Sequence, residues 1–417
     1  MGIKINIFNS HQSSSKKVWL VTEYYYPDEQ ATGYLMAKLS EGLCHEFPIG
    51  VFCRVAHRKG YNQCHYQIPE NQIDIRRVWC LNFQKDILFF RILNILMLTI
   101  AIIIKMLFTV HRDDTVIAVT TPPTLPFISL FITLLKRAKL IVLVHDTYPE
   151  ALIATGFLKQ SDIIFKLFQS LTNILYHYAE SIVVIGRDMK DRIITAYPRL
   201  NNKVIIIPNW VDVKEIVVMK RSEVGLLSQL GLQDKFVIGY LGTHGRTHDI
   251  ELLIESAIAL SGSKDIHFLF IGNGAKKKWL DDYIRKNHLL NITSLPYLSY
   301  RKQSEMHNAC DISVITFRQQ MIGVSVPSRM YNMMAAGKPI LAITEKKSEL
   351  AMVVEEEDIG WVITTHNVQD IVNCIIDIKN HSTILENMGK RARRVAVEKY
   401  SFEKVIENYK NLIYNHL

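Results

Sequence analysis

The sequence offers little for covalent cross-linking or metal binding. Its six cysteines, Cys44, Cys53, Cys64, Cys80, Cys310 and Cys374, include no CxxC pair and share no spacing with nearby histidines of the kind a metal site needs. A reducing compartment fits this best. The N-terminus, MGIKINIFNSHQSSSKK, lacks an apolar run of signal-peptide length, so nothing in it directs export and the chain is expected in the cytoplasm. There is no Walker motif, no zinc finger, no RNP-like aromatic motif and no long basic run, which leaves nucleic acid without support as a partner. Nor does a DxD lie at a strand end: Asp113-Asp114 and Asp281-Asp282 read as turn or surface charge.

What is present is a chain of 417 residues, longer than one hydrophobic core usually organises, so two domains are expected. With 48% hydrophobic and 21% charged residues it belongs with folded proteins, not disordered ones. A net charge of +9 attracts anions, and with nucleic acid set aside, acidic lipid headgroups and phosphorylated substrates remain.

Short Val/Ile/Leu-rich runs alternate with helical stretches. VWLVTEYY (from Val18), TVIAVTT (from Thr115), LIVLVHD (from Leu140), SIVVIG (from Ser181) and KVIIIPN (from Lys203) read as strands of a first half. KFVIGYLG (from Lys235), IHFLFIGNG (from Ile266), ISVITF (from Ile312) and KPILAIT (from Lys338) read as strands of a second. Runs without polar alternation mark strands buried on both faces, hence two parallel sheets covered by helices. The expected division is an extension over 1–16, a first domain over 17–208, a second over 209–390, and a C-terminal helix over 391–417 able to cap either domain.

Residues 87–108 interrupt the pattern. Between Arg91 and Lys105 lie thirteen residues, ILNILMLTIAIII, short of the roughly 18 to 20 apolar residues a spanning helix needs. On a helix, Arg91, Asn94 and Lys105 fall within roughly 60° of one another, a narrow polar stripe on an apolar cylinder. Two readings fit: a helix lying in a bilayer interface with the stripe toward the headgroups, or a helix packed between the sheet and its neighbours.

Several strand-to-helix junctions could carry chemistry. In Gly239-Tyr240-Leu241-Gly242-Thr243-His244-Gly245-Arg246-Thr247-His248-Asp249 a strand enters a glycine-punctuated turn and then the helix IELLIESAIAL. Backbone N–H groups at such a helix start attract phosphate where no side chain blocks them, and Gly242 and Gly245 remove that block. Arg246 offers a forked charged contact to a diphosphate, His244 and His248 further hydrogen bonds. A second junction holds Gly272 and Gly274 before Lys276, Lys277 and Lys278, lysines suited to solvent or to phosphate. In a third, Ser325, Val326, Pro327, Ser328 and Arg329 open a helix that runs through Asn332 to the cap at Gly337. Parallel sheets need glycine in tight turns in any case, but three junctions in one half favour a nucleotide diphosphate site. In the first half Ala31-Thr32-Gly33 opens a fourth helix, and His145 and Asp146 end the strand LIVLV, where ligands of open parallel sheets bind.

At these residues the chain resembles glycosyltransferase family 4, and within it the bacterial O-antigen and polysaccharide enzymes near the L-fucosamine transferases. The collinear words are VWLVTEYYYPDEQATGYLMAKLSEGL, HDTYPEALIATGFLK, VIGRDMKDRI, IIIPNWVD, GTHGRTHDIELLIESA, GNGAKKKWL, NITSLPYLS and VPSRMYNMMAAGKPILA, covering nearly the whole chain. The resemblance implies a GT-B fold, two Rossmann-like parallel-sheet domains facing a cleft, with donor held mainly by the second and acceptor mainly by the first. It implies that Gly33 approaches the diphosphate and that His145 touches the donor sugar near the reacting carbon. Gly242, Thr243, His244, Gly245 and Arg246, together with residues 325–329, would hold the diphosphate, and residues 296–298 would frame the base. The implied reaction transfers a sugar with retention from a UDP-sugar, N-acetyl-L-fucosamine or a similar one, without cofactor or metal. The implied acceptor is a polyprenyl diphosphate-linked saccharide, met by a protein attached peripherally to the inner face of the cytoplasmic membrane.

The sequence departs from the family at four positions. Val324 and Asn332 stand where the family has a pair of Glu residues, and Thr243 and His248 where it has Arg and Lys. Glu349 is the candidate to replace the lost ribose contact, and Arg246 with Arg329 the candidates for the missing charge. Two rivals follow: a GT-B sugar-nucleotide epimerase, which would use positioned carboxylates, and a non-catalytic partner subunit of a glycosylation complex.

Overall fold

The computed structural model describes residues 16–28, 30–56, 68–81, 83, 88–299 and 302–416; the expected extension up to residue 15, and Cys64, lie outside the described residues. The first domain is built on β1 (Val18–Val21), β2 (Ile49–Arg54), β3 (Ile73–Val78), β4 (Thr115–Val119), β5 (Lys139–Val144), β6 (Ser181–Val184) and β7 (Val204–Ile206). They form one parallel sheet in the order β3-β2-β1-β4-β5-β6-β7. Its helices are α1 (Ala31–Leu43), α2 (Leu88–Leu107), α3 (Thr124–Lys136), α4 (Glu150–Ala154), α5 (Ile163–Tyr178) and α6 (Arg187–Ala196). Because side chains alternate across a strand, Val18 and Leu20 pack with α1 on one face, while Trp19 and Val21 pack with α2 and α3 on the other.

The second domain repeats the plan with β8 (Phe236–Leu241), β9 (Ile266–Ile271), β10 (Ile292–Leu295), β11 (Ile312–Thr316), β12 (Ile340–Ile343) and β13 (Gly360–Ile363), parallel in the order β10-β9-β8-β11-β12-β13. Its helices are α7 (Gly225–Leu230), α8 (Ile250–Ala259), α9 (Lys277–Lys286), α10 (Gln303–Asn308), α11 (Arg329–Ala335), α12 (Glu349–Glu356), α13 (Val368–Asn380) and α14 (Ser382–Lys399). In each sheet the chain winds outward in both directions from a central pair, β1 with β4 and β8 with β11. The crevice at the carboxyl ends of such a pair is where open parallel sheets take ligands.

The single terminal helix expected from residue 391 is replaced by two. α14 packs on α11 in the second domain, while α15 (Phe402–Tyr414) returns to the first. There Val405, Ile406, Tyr409, Leu412 and Ile413 join the cluster of Val18, Leu20 and Leu39. Lys410 pairs with Glu46, and the Tyr414 hydroxyl donates to the same carboxylate at 3.0 Å.

α2 also differs from its expected form. It spans 20 residues, long and apolar enough to cross a membrane, yet one side of it packs on the sheet through Leu98, Ile102 and Met106. Asn94 is buried on that side, its side-chain oxygen accepting from the Phe83 N–H and its amide donating to the Phe83 carbonyl, each at 3.0 Å. Asn94 therefore leaves the polar stripe that helical spacing gave it. Packing set the rotation of the helix, four residues before Leu98 being the same face. Arg91 and Lys105 are exposed, and so is an apolar stripe through Phe89, Ile92, Leu96, Ile100, Ile104 and Phe108.

Candidate active site

The facing strand ends enclose a cavity of 480 Å³. On the first domain's side, His145 and Asp146 follow directly on β5, their backbone N–H groups donating to the Thr120 hydroxyl at 3.1 and 3.3 Å. Burial pushes the His145 imidazole down to about 4 and the Asp146 carboxyl up to about 6. At neutral pH His145 is therefore uncharged and can donate or accept a hydrogen bond, but brings no positive charge. The start of α1 adds Ala31, Thr32 and Tyr34. Gly33 itself does not line the cavity. A Cβ there would sit 3.0 Å from the Asp28 carbonyl oxygen, so the glycine lets the helix start pack on the preceding turn.

The segment joining the domains forms a second wall. Asn209, Trp210, Asp212 and Glu215 all line the cavity, and the sequence reading assigned none of them a role. Burial, reinforced by the charge of Asp212, pushes Glu215 up to about 7, and the Tyr34 hydroxyl donates to it at 3.4 Å. The Asn209 side-chain oxygen and the Trp210 ring nitrogen are buried without a hydrogen-bond partner. Their signal was the word PNWVD, which took part in the resemblance but reads locally as a linker.

The second domain contributes Gly242, Thr243, Thr247 and His248 after β8, Tyr297 after β10, and Ser325, Val326, Pro327, Ser328, Arg329 and Asn332 around the start of α11. Arg329 is the centre of this wall. Its guanidinium lies 4.6 Å over the Tyr240 ring, and one terminal nitrogen lies 2.7 Å from His248 Nδ1, an atom that is also 2.9 Å from the Thr316 carbonyl oxygen. Burial and the Arg329 charge drive His248 well below its usual range, so its ring stays neutral. The other terminal nitrogen is buried with no partner. Gly242, at φ +125°, keeps the loop close: a Cβ there would stand 3.3 Å from Arg329 Cδ. Buried groups of this kind are normally paired, so an orphaned charged donor beside a cavity marks a place for an anion.

Other expected contacts stand behind the wall or away from it. Gly272 and Gly274 do not line the cavity; they bring the β9–α9 turn against the β8 turn, where the His244 N–H donates to the Asn273 carbonyl at 2.9 Å. His244 is wholly buried behind that turn, both ring nitrogens unpartnered, and burial with the charges of Lys277 and Arg329 pushes it down to about 4. Gly245 gives room to His248 and Arg246 is exposed, neither lining the cavity. Glu349 lies at the domain boundary, accepting from the Arg187 backbone N–H at 2.7 Å and its side chain at 3.0 Å. Val324 is buried between the domains, its carbonyl accepting from the Thr147 N–H at 2.9 Å. Asp188 accepts from the Gly323 and Glu349 N–H groups at 3.0 and 3.1 Å, and Asp146 pairs with Ser325, so the residues on either side of Val324 are part of the same domain contact. Among the described residues, no three His, Cys, Asp or Glu side chains gather as a metal site would.

The family description Glycosyl transferases group 1 matches residues 227–395, the whole of the second sheet and its wall of the cavity. Over 392 residues the chain is 28% identical to the probable glycosyltransferase WbjE of Pseudomonas aeruginosa, covering 92% of this chain and 94% of that one. This chain is a glycosyltransferase. Over 221 residues it is also 24% identical to the putative colanic acid biosynthesis glycosyl transferase WcaI of Escherichia coli (strain K12), covering 52% and 54% of the two chains. The glycosyltransferase superposes on Anabaena HepE in complex with UDP with a TM-score of 0.73 at 15% identity, covering 96% of this chain and 100% of HepE. WaaG, a glycosyltransferase involved in lipopolysaccharide biosynthesis, gives 0.71 at 12% identity over 95% and 99%. These likenesses show the GT-B fold, with its two parallel-sheet domains of seven and six strands.

Proposed function

We propose that the protein transfers a sugar, with retention at the anomeric carbon, from a UDP-sugar to a lipid-linked saccharide during assembly of a surface polysaccharide such as O-antigen. The observation that carries this reading is the orphaned Arg329 nitrogen, a buried cationic donor at a cavity built from the strand ends of both domains. A departing nucleotide diphosphate develops negative charge, and a donor already fixed in a dry site stabilises that charge without reorganising. Arg329 supplies it in a metal-independent way, while the neutral His145 hydrogen-bonds the donor sugar across the cleft. UDP in HepE and colanic acid in the name of WcaI support the donor and the pathway class. N-acetyl-L-fucosamine is the proposed sugar. A polyprenyl diphosphate would carry the acceptor, and the helix within residues 87–108 would attach the enzyme peripherally to the cytoplasmic face of the membrane.

The test uses membrane vesicles carrying lipid-linked acceptor, the purified protein and a panel of UDP- and GDP-sugars, reading nucleotide release and sugar transferred to lipid. Transfer from one donor is expected, falling by about 10² to 10³ in Arg329→Ala and by about 10² in His145→Ala. Donor binding without transfer to any lipid would instead support a partner subunit. Conversion of the donor to an epimer would support the epimerase.

A further inference from the structure

Outside the cleft, the largest unexplained feature is the outer surface of the first domain. α2, α3 and α5 lie side by side on one face of its sheet: Thr99 and Thr124 share a hydrogen bond of 2.8 Å between α2 and α3, and Phe127 and Phe168 rings lie 5.7 Å apart between α3 and α5. Each helix buries one stripe on the sheet and leaves another apolar stripe bare. On α2 and the turn that ends it this runs from Phe89 to Phe108, at 68% and 85% exposure; on α3 it includes Phe131, Leu134 and Leu135; on α5 it starts at Ile163, 83% exposed, and continues through Leu167, Leu171 and Ile174. A soluble surface scatters such side chains singly, and a contiguous apolar patch marks a contact with something else.

The charge of the same helices says what that contact is. α2, α3 and α5 carry four cations, Arg91, Lys105, Lys136 and Lys166, and not one Asp or Glu. An apolar surface set among cations complements a bilayer leaflet with anionic headgroups, the chains taking the apolar stripes and the phosphates the lysines and arginine. The helices run antiparallel to the strands, so all three begin at the edge of the cleft. The exposed Trp79 and Phe157 lie on loops at that same end.

We infer that the bare stripes of α2, α3 and α5 form one docking face for an anionic leaflet, which lays the flank of the first domain on the membrane with the cleft mouth at its border. This rests on the proposed membrane attachment and changes its form. The attaching unit is a three-helix platform whose length along α2 is roughly 28 Å, in place of one helix presenting a polar stripe. A rigid platform fixes the angle between cleft and bilayer, as one pivoting helix would not.

The experiment is flotation of the full chain with vesicles of phosphatidylcholine alone or mixed with phosphatidylglycerol, with UDP binding measured by calorimetry on the same samples. The native chain is expected to float with the mixed vesicles and much less with phosphatidylcholine alone. Ile163→Ser with Leu167→Ser in α5, and separately Phe131→Ser with Leu134→Ser in α3, should each weaken flotation by about tenfold or more while leaving UDP binding intact, which also shows that the variants fold. Flotation unchanged in both, but abolished by Leu96→Ser with Ile100→Ser, would confine docking to α2 and overturn the platform. Flotation indifferent to phosphatidylglycerol would overturn the anionic leaflet. A native dimer that the α5 substitutions dissociate, with no flotation at all, would assign the face to a second copy. If the native chain floats but neither binds UDP nor transfers sugar, the proposed reaction fails and the docking face stands.

Discussion

In the first domain, three helices over one face of the sheet, α2, α3 and α5, present apolar stripes and cations without a carboxylate; in the second, the surface helices α9 and α13 carry both signs, with Lys277 paired to Asp281, Arg285 to Asp282 and Lys379 to Asp265. The interiors contrast the other way. Behind the second domain's wall lie close glycine contacts at Gly242, Gly272 and Gly274 and the buried imidazoles of His244, His267 and His307. Two sheets of the same plan thus divide the work. One half specialises its interior to fix a cationic pocket, and the other specialises its exterior.

The comparison breaks most easily at Gly272. Its φ is +157°, and a Cβ there would overlap the Gly242 carbonyl oxygen, so Gly272→Ala should destabilise the second domain by about 2–4 kcal/mol and abolish UDP binding. Urea denaturation with a native midpoint would show that the interior is less tightly specified than its geometry implies. A smaller effect concerns acid. His244, His267 and His307 in the second domain, and His145 in the first, are each pushed by burial from about 6.5 down to about 4. Their stabilisation is complete above pH 6.5 and is lost as pH falls toward 4, at up to about 1.4 kcal/mol per unit for each ring. Asp146, pushed up to about 6, works against this within the first domain, its burial disfavouring the folded state progressively as pH rises from about 4 to about 6. Amide-exchange protection in β8 and β9 should therefore fall before that in β1 and β4; simultaneous loss would erase the distinction. The smallest effect is expected at the exposed Leu167 on α5, where Leu167→Ser should change stability by no more than about 0.5 kcal/mol. A larger loss on thermal unfolding would mean that this face is packed and not bare.

The central strands were legible because strands buried on both faces are uninterrupted Val/Ile/Leu runs. β3, β10 and β13 were not legible as strands because they lie at sheet edges and are partly exposed, β3 and β10 being interspersed with polar residues and β13 only four residues long; in β2, Gly50 and Cys53 interrupt the Val/Ile/Leu pattern. In the cavity, His145, Asp146, Gly242 and the residues opening α11 could be read from strand ends and helix starts, since those rules are local. Asn209, Trp210 and Glu215 could not, because a linker becomes a wall only when two domains close around it. The place of Glu349 was hidden for a related reason: its partner, Arg187, is 162 residues away and belongs to the other domain. Asn94 shows the limit of helical spacing, which groups residues on a face but does not say which face turns inward.

The return of α15 bears on how the chain is made. The first domain's sheet and α1 leave the ribosome early, yet Val405, Ile406, Tyr409 and Leu412, which complete the apolar cluster around Val18, Leu20 and Leu39, follow only after the whole of the second domain. Residues 225–399 are contiguous and can close their own core as soon as they emerge. The half synthesised first is finished last, and until then its unsealed side is open to chaperones, or to its own neighbours on the polysome.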